Sequence, residues 1–251
     1  MKRFNFIDLF SGCGGLSEGF YHSGFKALAH VEIDPTACKT LKTRMEFYKY
    51  KPEDIHIFQK DIRDENIIKD ISKITKNNNI DLIIGGPPCQ SYSSLGRAKD
   101  PKSMKDDPRN TLFESYERIL NFFKPKVFVF ENVMGLLSAK IGSEKTINII
   151  LKKLGKNYNL INDPNLMVLN SCDYGVPQIR KRVFIIGVRK DLKEEAKTIY
   201  ENIRKTHFPN SSKNKSKYIT VREAISDLPK LFPGEGLEKR KFKINKWNPF
   251  L

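Results

Sequence analysis

The chain has 251 residues, with 45 Lys and Arg against 29 Asp and Glu, a formal charge of +16 and an isoelectric point near 9.6. A chain of this length buries roughly 70–75% of its unfolded surface without cross-links, and its four cysteines, Cys13, Cys38, Cys89 and Cys172, form no Cys-x-x-Cys pair, which argues against a zinc site or a disulfide framework and fits a reducing cytoplasm. No apolar run reaches the ~18 residues of a membrane span, the strand-like Phe4 to Phe10 after Lys2 and Arg3 makes no secretory apolar region of the usual length, and the excess positive charge favours a polyanion, nucleic acid by default, over a merely Lys-rich soluble background.

In chain order, the pattern predicts a strand from Phe4 to Phe10, a helix enclosing Gly19 to Ser23, a strand from Ala27 to Ile33 and a helix from Pro35 to about Tyr48. A third strand closes at Asp61-Ile62, a fourth covers Asp81 to Ile84, and a helix near Asn110 to Phe123 leads to a strand from Val127 to Phe130. A helix near Ser143 to Leu154 precedes two last strands, Leu166 to Leu169 and Val183 to Val188, expected to be antiparallel because no helix separates them. This rhythm argues an α/β protein with a Rossmann-like, doubly wound, mostly parallel sheet. The polar, basic stretch from Gln90 to Asn110 has the length and composition of a mobile lid. Residues 190–251 carry 15 Lys or Arg against 8 Asp or Glu. We therefore expect a catalytic domain over residues 1–190, and over 191–251 a basic linker leading into an absent or truncated recognition domain.

The residues with chemical potential gather at predicted strand exits. After Asp81-Leu82-Ile83-Ile84, Gly85-Gly86 turns the backbone and Pro87-Pro88 fixes φ before Cys89 and Gln90. That places Cys89 at the carboxyl edge of a sheet, where α/β enzymes keep their chemistry, and we read it as a nucleophile and not a buried core thiol. Asp8-Leu9-Phe10-Ser11-Gly12-Cys13-Gly14-Gly15 links the first strand to a helix, a turn in which glycines let a ligand approach the backbone closely. Glu32, followed by Ile33 and Asp34, ends the second strand, where a carboxylate can accept bonds from ribose hydroxyls. Asp61-Ile62 could meet an adenine, its amino group on Asp61 and its ring on Ile62. Together these three exits describe an adenosine pocket. Glu131-Asn132-Val133 follows the strand Val127 to Phe130, where Glu131 is either a helix cap or a catalytic carboxylate. Gln178, Arg180 and Arg182 alternate ahead of Val183, either as an edge row of polar groups or aimed inward to depress the Cys89 thiol pKa.

In this order and spacing, Phe6 to Phe20, Pro87-Pro88-Cys89-Gln90, Glu131-Asn132-Val133 and Gln178-x-Arg180-x-Arg182 with Gly187 resemble the cytosine-C5 DNA methyltransferase family. Arg109 to Phe113 resembles the helix start after that family's catalytic loop, and Thr220 to Pro229 resembles the approach to its target-recognition domain. The resemblance runs from about residue 4 to 230 and implies a class I S-adenosylmethionine-dependent methyltransferase fold. It implies that the Cys89 thiolate adds to C6 of a cytosine flipped out of double-stranded DNA, while Glu131 protonates or hydrogen-bonds N3 and the amino group. Arg182 would hold O2, and Arg180 would help to position Cys89 and the nucleotide. S-adenosylmethionine would be held by Phe10, Ser11, Gly12, Gly14, Gly15, Glu32, Ile33, Asp61, Ile62, Pro87 and Leu112, with no metal. A restriction-modification setting in a prokaryotic-type cytoplasm follows from the same resemblance.

The family continues with a variable recognition domain and a closing Gly-Asn-x-Val-Pro motif, and neither is visible here. We expect a second polypeptide to supply both, or the chain to be a fragment. Three alternatives compete. A tRNA cytosine-C5 methyltransferase lacks its usual Cys-Phe-Thr signature here, a catalytically idle DNA-binding or regulatory module would not need the motifs intact, and a nicotinamide-dependent oxidoreductase would have no use for Cys89 beside Pro-Pro.

Overall fold

The computed structural model describes residues 3–75, 78–88, 111–141, 143–208 and 216–237. The basic stretch Gln90 to Asn110, Cys89 itself and the segment from Lys239 to Leu251 lie outside the described residues. The chain divides into two compact units, one of Met1–Val168 with Arg182–Asn202 and one of Leu169–Lys181 with Ile203–Leu251. No helix among the described residues is long and apolar enough to cross a membrane.

The first unit is a mostly parallel sheet flanked by helices. Its strands are β1 (Asn5–Leu9), β2 (Lys26–Glu32), β3 (Ile57–Gln59), β4 (Leu82–Gly85) and β5 (Val127–Val133). The two-residue strands β6 (Lys140–Ile141) and β7 (Glu144–Lys145) form a separate hairpin, and β8 (Tyr158–Asn159), β9 (Val168–Asn170) and β10 (Lys181–Arg189) follow. The sheet order is β3-β2-β1-β4-β5-β10-β8. Pairing is parallel from β3 through β5 and antiparallel where β10 meets β5 and β8. β1 and β4 are unbroken apolar runs because both faces of a central parallel strand are covered. Phe6, Ile7, Leu9, Ile83 and Ile84 are fully buried, each stabilising the fold by about 1.5–3 kcal/mol.

Chain order fixes where a ligand can sit. From β1 the chain winds outward through β2 and β3, then returns to place β4 on the other side of β1. The crossovers therefore diverge between β1 and β4, and a crevice opens at the carboxyl ends of these two strands. Since β10 is antiparallel, its beginning lies at that same edge, with Arg182 opposite Val133.

The helices carry recognisable start signals. Helix α1 (Gly15–His22) begins after Gly14, whose φ of 84° is the left-handed geometry that favours glycine. Helix α2 (Pro35–Phe47) has Pro35 in its first turn and Asp34 as cap, its carboxylate accepting from Ala37 N at 2.7 Å. Helix α3 (Ile67–Thr75) buries Ile67 and Ile71 one turn apart. Helix α4 (Thr111–Phe123) buries Tyr116, Ile119 and Leu120, and the Tyr116 ring meets Phe130 edge-on at 5.2 Å. Helix α5 (Thr146–Leu154) follows the hairpin.

The boundaries of β5 and of the strand before β10 differ from the sequence expectation for identifiable reasons. β5 continues to Val133, because pairing with β10 keeps Glu131, Asn132 and Val133 in the ladder. The strand predicted from Leu166 starts only at Val168, because Asp163 and Pro164 nucleate a short helix, α6 (Pro164–Met167), with the Asp163 carboxylate accepting from Asn165 N at 2.9 Å. Past residue 190, helix α7 (Ala196–Asn202) completes the first unit, and the Tyr200 hydroxyl donates to Phe184 O and accepts from Ile186 N on β10.

The second unit contains strands β11 (His207–Phe208) and β12 (Ser216–Lys217), paired in parallel, and helix α8 (Val221–Ala224). A reciprocal box starts α8: Thr220 Oγ1 accepts from Glu223 N, and Glu223 Oε2 accepts from Thr220 N at 2.7 Å. Its polar centre is Asp173, which accepts from the Tyr218 hydroxyl at 2.6 Å and pairs with Lys205 at 2.7 Å.

Candidate active site

Two groups of predicted residues come together at the carboxyl edge of the first unit. The first is a cradle built from the exits of β1 and β2. The turn Phe10 to Gly14 leaves β1 with positive φ at Phe10 (59°), Gly12 (53°) and Gly14. Ser11 is buried and fastens the turn, its hydroxyl donating to Asp8 O at 2.9 Å and its N–H to Val31 O at 3.1 Å. Glu32 joins the two strand exits. Its Oε2 accepts from Gly12 N at 2.7 Å, and its Oε1 accepts from Ile33 N and Asp34 N at 2.9 Å each. A Cβ placed on Gly12 or Gly15 meets nothing within 4 Å. The cradle therefore has space over its glycines, an oriented carboxylate, and helix α1 starting beneath it, a donor set that fits an adenosine-type cofactor.

At the exit of β3, Ile62 is buried in the core while Ile33 is 62% exposed at the lip of the cradle. Arg63 engages the Asp61 carboxylate, Nη2 to Oδ2 at 2.5 Å and Nε to Oδ1 at 3.0 Å, and holds its pKa below the ordinary value. Arg118 on α4 donates to both Ile62 O and Asp64 O at 3.1 Å, pinning this exit from the helix side. Leu112 lies half-buried in the first turn of α4.

The second group gathers at the exits of β4 and β5 and the start of β10. Glu131 Oε1 lies 3.1 Å from Arg182 Nε, both side chains being about four-fifths buried, at 22% and 23% exposure. A Cβ on Gly86 would lie 2.8 Å from Glu131 Oε2, so any larger residue there would have to displace the carboxylate from its place beside the turn. Asn132 Nδ2 donates to Pro87 O at 3.2 Å, and Asn132 Oδ1 accepts from Val133 N at 2.8 Å. Buried Asn132 thus ties the Pro-Pro turn to β5 and brings Pro87, Glu131 and Arg182 together.

Gln178 and Arg180 are exposed and precede β10 within the second unit, where Arg180 N donates to Ser171 Oγ at 3.2 Å and Arg180 O accepts from Ser171 N at 3.1 Å. The alternation expected through Gln178, Arg180 and Arg182 does not extend that far, because the strand begins at Lys181.

Sequence reasoning missed three contributors: Asn132 as the tie to Pro87, Arg118 as the support of the β3 exit, and a buried Asp8–His30 pair beneath the cradle. The position of Asn132 beside Glu131 could have signalled the first. Nothing local signals the other two, since each depends on partners far along the chain.

Comparison with known proteins bears on this arrangement. The family model described as C-5 cytosine-specific DNA methylase matches residues 4–248. The type II methyltransferase M.Bpa9945I of Bacillus paralicheniformis is 34% identical over 95% of this chain and 64% of its own length. The type II methyltransferase M.AquIA of Picosynechococcus is 36% identical over 93% of this chain and 92% of its own length. A crystal structure described as a DNA modification methyltransferase encoded within a prophage of E. coli superposes with a TM-score of 0.70 at 30% identity, covering 97% of this chain and 62% of that one. The chain thus spans less than two thirds of the first of these relatives and of the solved chain.

Proposed function

The chain belongs to the C-5 cytosine-specific DNA methylase family, and from that premise we propose that it transfers a methyl group to C5 of a cytosine in double-stranded DNA, in a restriction-modification setting. The observation that carries the reading is the meeting of Glu131, Arg182 and Pro87 at one sheet edge, beside a cradle suited to S-adenosylmethionine. When bound there, S-adenosylmethionine supplies an electrophilic methyl group.

Every other step belongs to the chain. C5 of cytosine is a weak nucleophile, and the Cys89 thiolate activates it by forming a bond to C6, which turns the ring into an enamine. Glu131, oriented by Arg182 Nε, delivers a proton or hydrogen bond to N3 and the exocyclic amino group. Arg182 holds O2 of the base through its guanidinium. After methylation a base removes the C5 proton, the C6–S bond breaks, and Cys89 leaves as thiolate. The target must leave the stack to reach this edge, and Arg180 steadies the extruded nucleotide. Gly12 and Gly15 admit the cofactor, and Phe10, Ser11, Gly14, Glu32, Ile33, Asp61, Ile62, Pro87 and Leu112 frame it.

A second polypeptide carrying the recognition domain and the closing segment completes this enzyme. The support is coverage: residues 1–251 match one relative along nearly its whole length and another along only 64%. Residues 1–190 act as the catalytic domain and the basic remainder leads toward the recognition domain. Cys89→Ser removes tritiated methyl transfer while S-adenosylhomocysteine still binds, and duplexes containing 5-fluorocytosine trap the wild type as a covalent adduct, because fluorine at C5 cannot leave as a proton. Retained turnover in Cys89→Ser overturns the mechanism.

A further inference from the structure

Directly beneath the cradle lie two ionisable groups that the reaction above does not use. Asp8 on β1 and His30 on β2 are register neighbours, 1% and 2% exposed, with Asp8 Oδ2 3.6 Å from His30 Nδ1. Neither Asp8 Oδ2 nor either imidazole nitrogen has a hydrogen-bond partner among the described residues. A lone carboxylate in such a place is costly, and burial pushes the Asp8 carboxyl pKa up.

The pair is coupled to the cofactor site through short covalent and hydrogen-bonded paths. Asp8 O accepts from the Ser11 hydroxyl, Ser11 N donates to Val31 O next to His30, and Glu32 follows His30 by two residues. Within the pair itself, the nearness of His30 and the Ser17 hydroxyl favours the Asp8 carboxylate and works against burial. Glu18 of α1 and Arg44 of α2 are paired with one another. Burial holds the phenols of Tyr50 and Tyr116 above their ordinary pKa, so both are neutral. Tyr21 and Tyr48 stack on each other at 4.0 Å, with the Tyr21 hydroxyl donating to Tyr48 O. Glu32 remains, and its negative charge opposes ionisation of Asp8.

We propose that Asp8 is a carboxylic acid whose Oδ2–H donates to Nδ1 of neutral His30, and that this uncharged pair positions the turn and Glu32 for the cofactor. In this tautomer His30 carries its proton on Nε2, and the imidazole borders a small cavity that it shares with Gly14 and with Ser17 of α1. Loss of the Asp8 proton to solvent at high pH places a second negative charge under Glu32 and drives the two strand exits apart. Cofactor affinity therefore falls as pH rises through that titration. Both residues are positioning groups, since neither touches the ligand.

The choice of ligand rests on the proposed function, and the test separates the two. Asparagine at position 8 presents an N–H donor where the acid presents O–H, so Asp8→Asn should bind S-adenosylhomocysteine at pH 6.5 within about twofold of wild type. It should also lose the weakening expected of the wild type as pH rises. Asp8→Ala and His30→Phe, which leave one partner alone, should each weaken binding by about fivefold or more, the size of coupling expected between contacting groups. Calorimetry reads the affinities, and thermal melting checks each fold. In the ligand-free wild type, the carboxyl ¹³C shift of Asp8 at pH 6 should be that of a protonated acid. An ionised Asp8 at pH 6 overturns the inference, as does an Asp8→Asn variant that binds as poorly as Asp8→Ala. If the wild type binds no S-adenosylhomocysteine, the cofactor assignment fails, while the carboxyl shift still decides the state of the pair.

Discussion

Glu131 and Arg182 meet across the antiparallel junction of β5 and β10, with Nε 3.1 Å from Oε1, so an antiparallel neighbour of β5 supplies a cation for its exit carboxylate. A parallel strand in the place of β10 would present its carboxyl end there instead. Because the two side chains come from different strands, each can be removed without breaking the other's chain path. Glu131→Gln keeps the shape and removes the proton donor, and should lower methyl transfer by about 10²–10⁴-fold with S-adenosylhomocysteine affinity unchanged. Arg182→Ala should lower it as well, with an added loss in DNA-complex lifetime. Single-turnover transfer and calorimetry on the same preparations check both, and a Glu131→Gln enzyme of wild-type rate removes Glu131 from the chemistry.

Glu32 accepts three backbone N–H bonds and joins the turn to β2. Glu32→Ala should weaken S-adenosylhomocysteine binding by about 1–3 kcal/mol, the size of a charge-assisted hydrogen-bonded contact, and leave DNA affinity within about twofold. Calorimetry measures the first and fluorescence anisotropy the second.

Acid should loosen the second unit through Asp173. Burial alone would raise its pKa, but the bonds from Lys205 and Tyr218 outweigh that and hold it below the ordinary value of 3.8. A depressed folded pKa contributes stability that is fully present above 3.8 and is lost as pH falls through the lower folded value. Asp173→Asn should remove this acid dependence and lower the melting temperature by about 2–4 °C for each kcal/mol lost. Melting curves between pH 3 and 6 for both proteins test this.

Sequence-specific methylation should require the second polypeptide. Alone, the basic chain should bind duplex DNA through phosphates, with affinity falling steeply as salt rises and little preference for sequence. Adding a stoichiometric chain with the recognition domain and closing segment should restore specific transfer and tighten cofactor binding. Full specific activity from residues 1–251 alone overturns the two-chain reading.

The sequence was most legible where a single strand carries its own signal. The apolar runs of β1, β2 and β4 have no other way to be buried, and Asp34-Pro35 is a helix start at any location. The exits bearing Gly12, Glu32, Pro87 and Glu131 follow from those strands. What could not be read locally depends on pairing. β5 runs past Phe130 only because β10 offers a ladder, and α6 replaces the start of an apolar strand because a cap at Asp163 outweighs four apolar residues. Asp61 looked like a free carboxylate until Arg63 folded back onto it. Asp8 and His30 read as unrelated polar residues within apolar strands until β1 and β2 align side by side.

The bond from Gly12 N to Glu32 bears on how a nucleoside can be held. A carboxylate offers about four lone-pair directions, and Gly12, Ile33 and Asp34 occupy three of them. One is left for a sugar hydroxyl, so a ribose seated without disturbing the turn is gripped by Glu32 through a single oxygen, and its second hydroxyl must look elsewhere or displace a backbone donor. The turn is held by its own bonds, from Ser11 to Asp8 and Val31 and from Gly12 to Glu32, so residence time, rather than the rate of arrival, is where affinity differences between nucleosides accumulate.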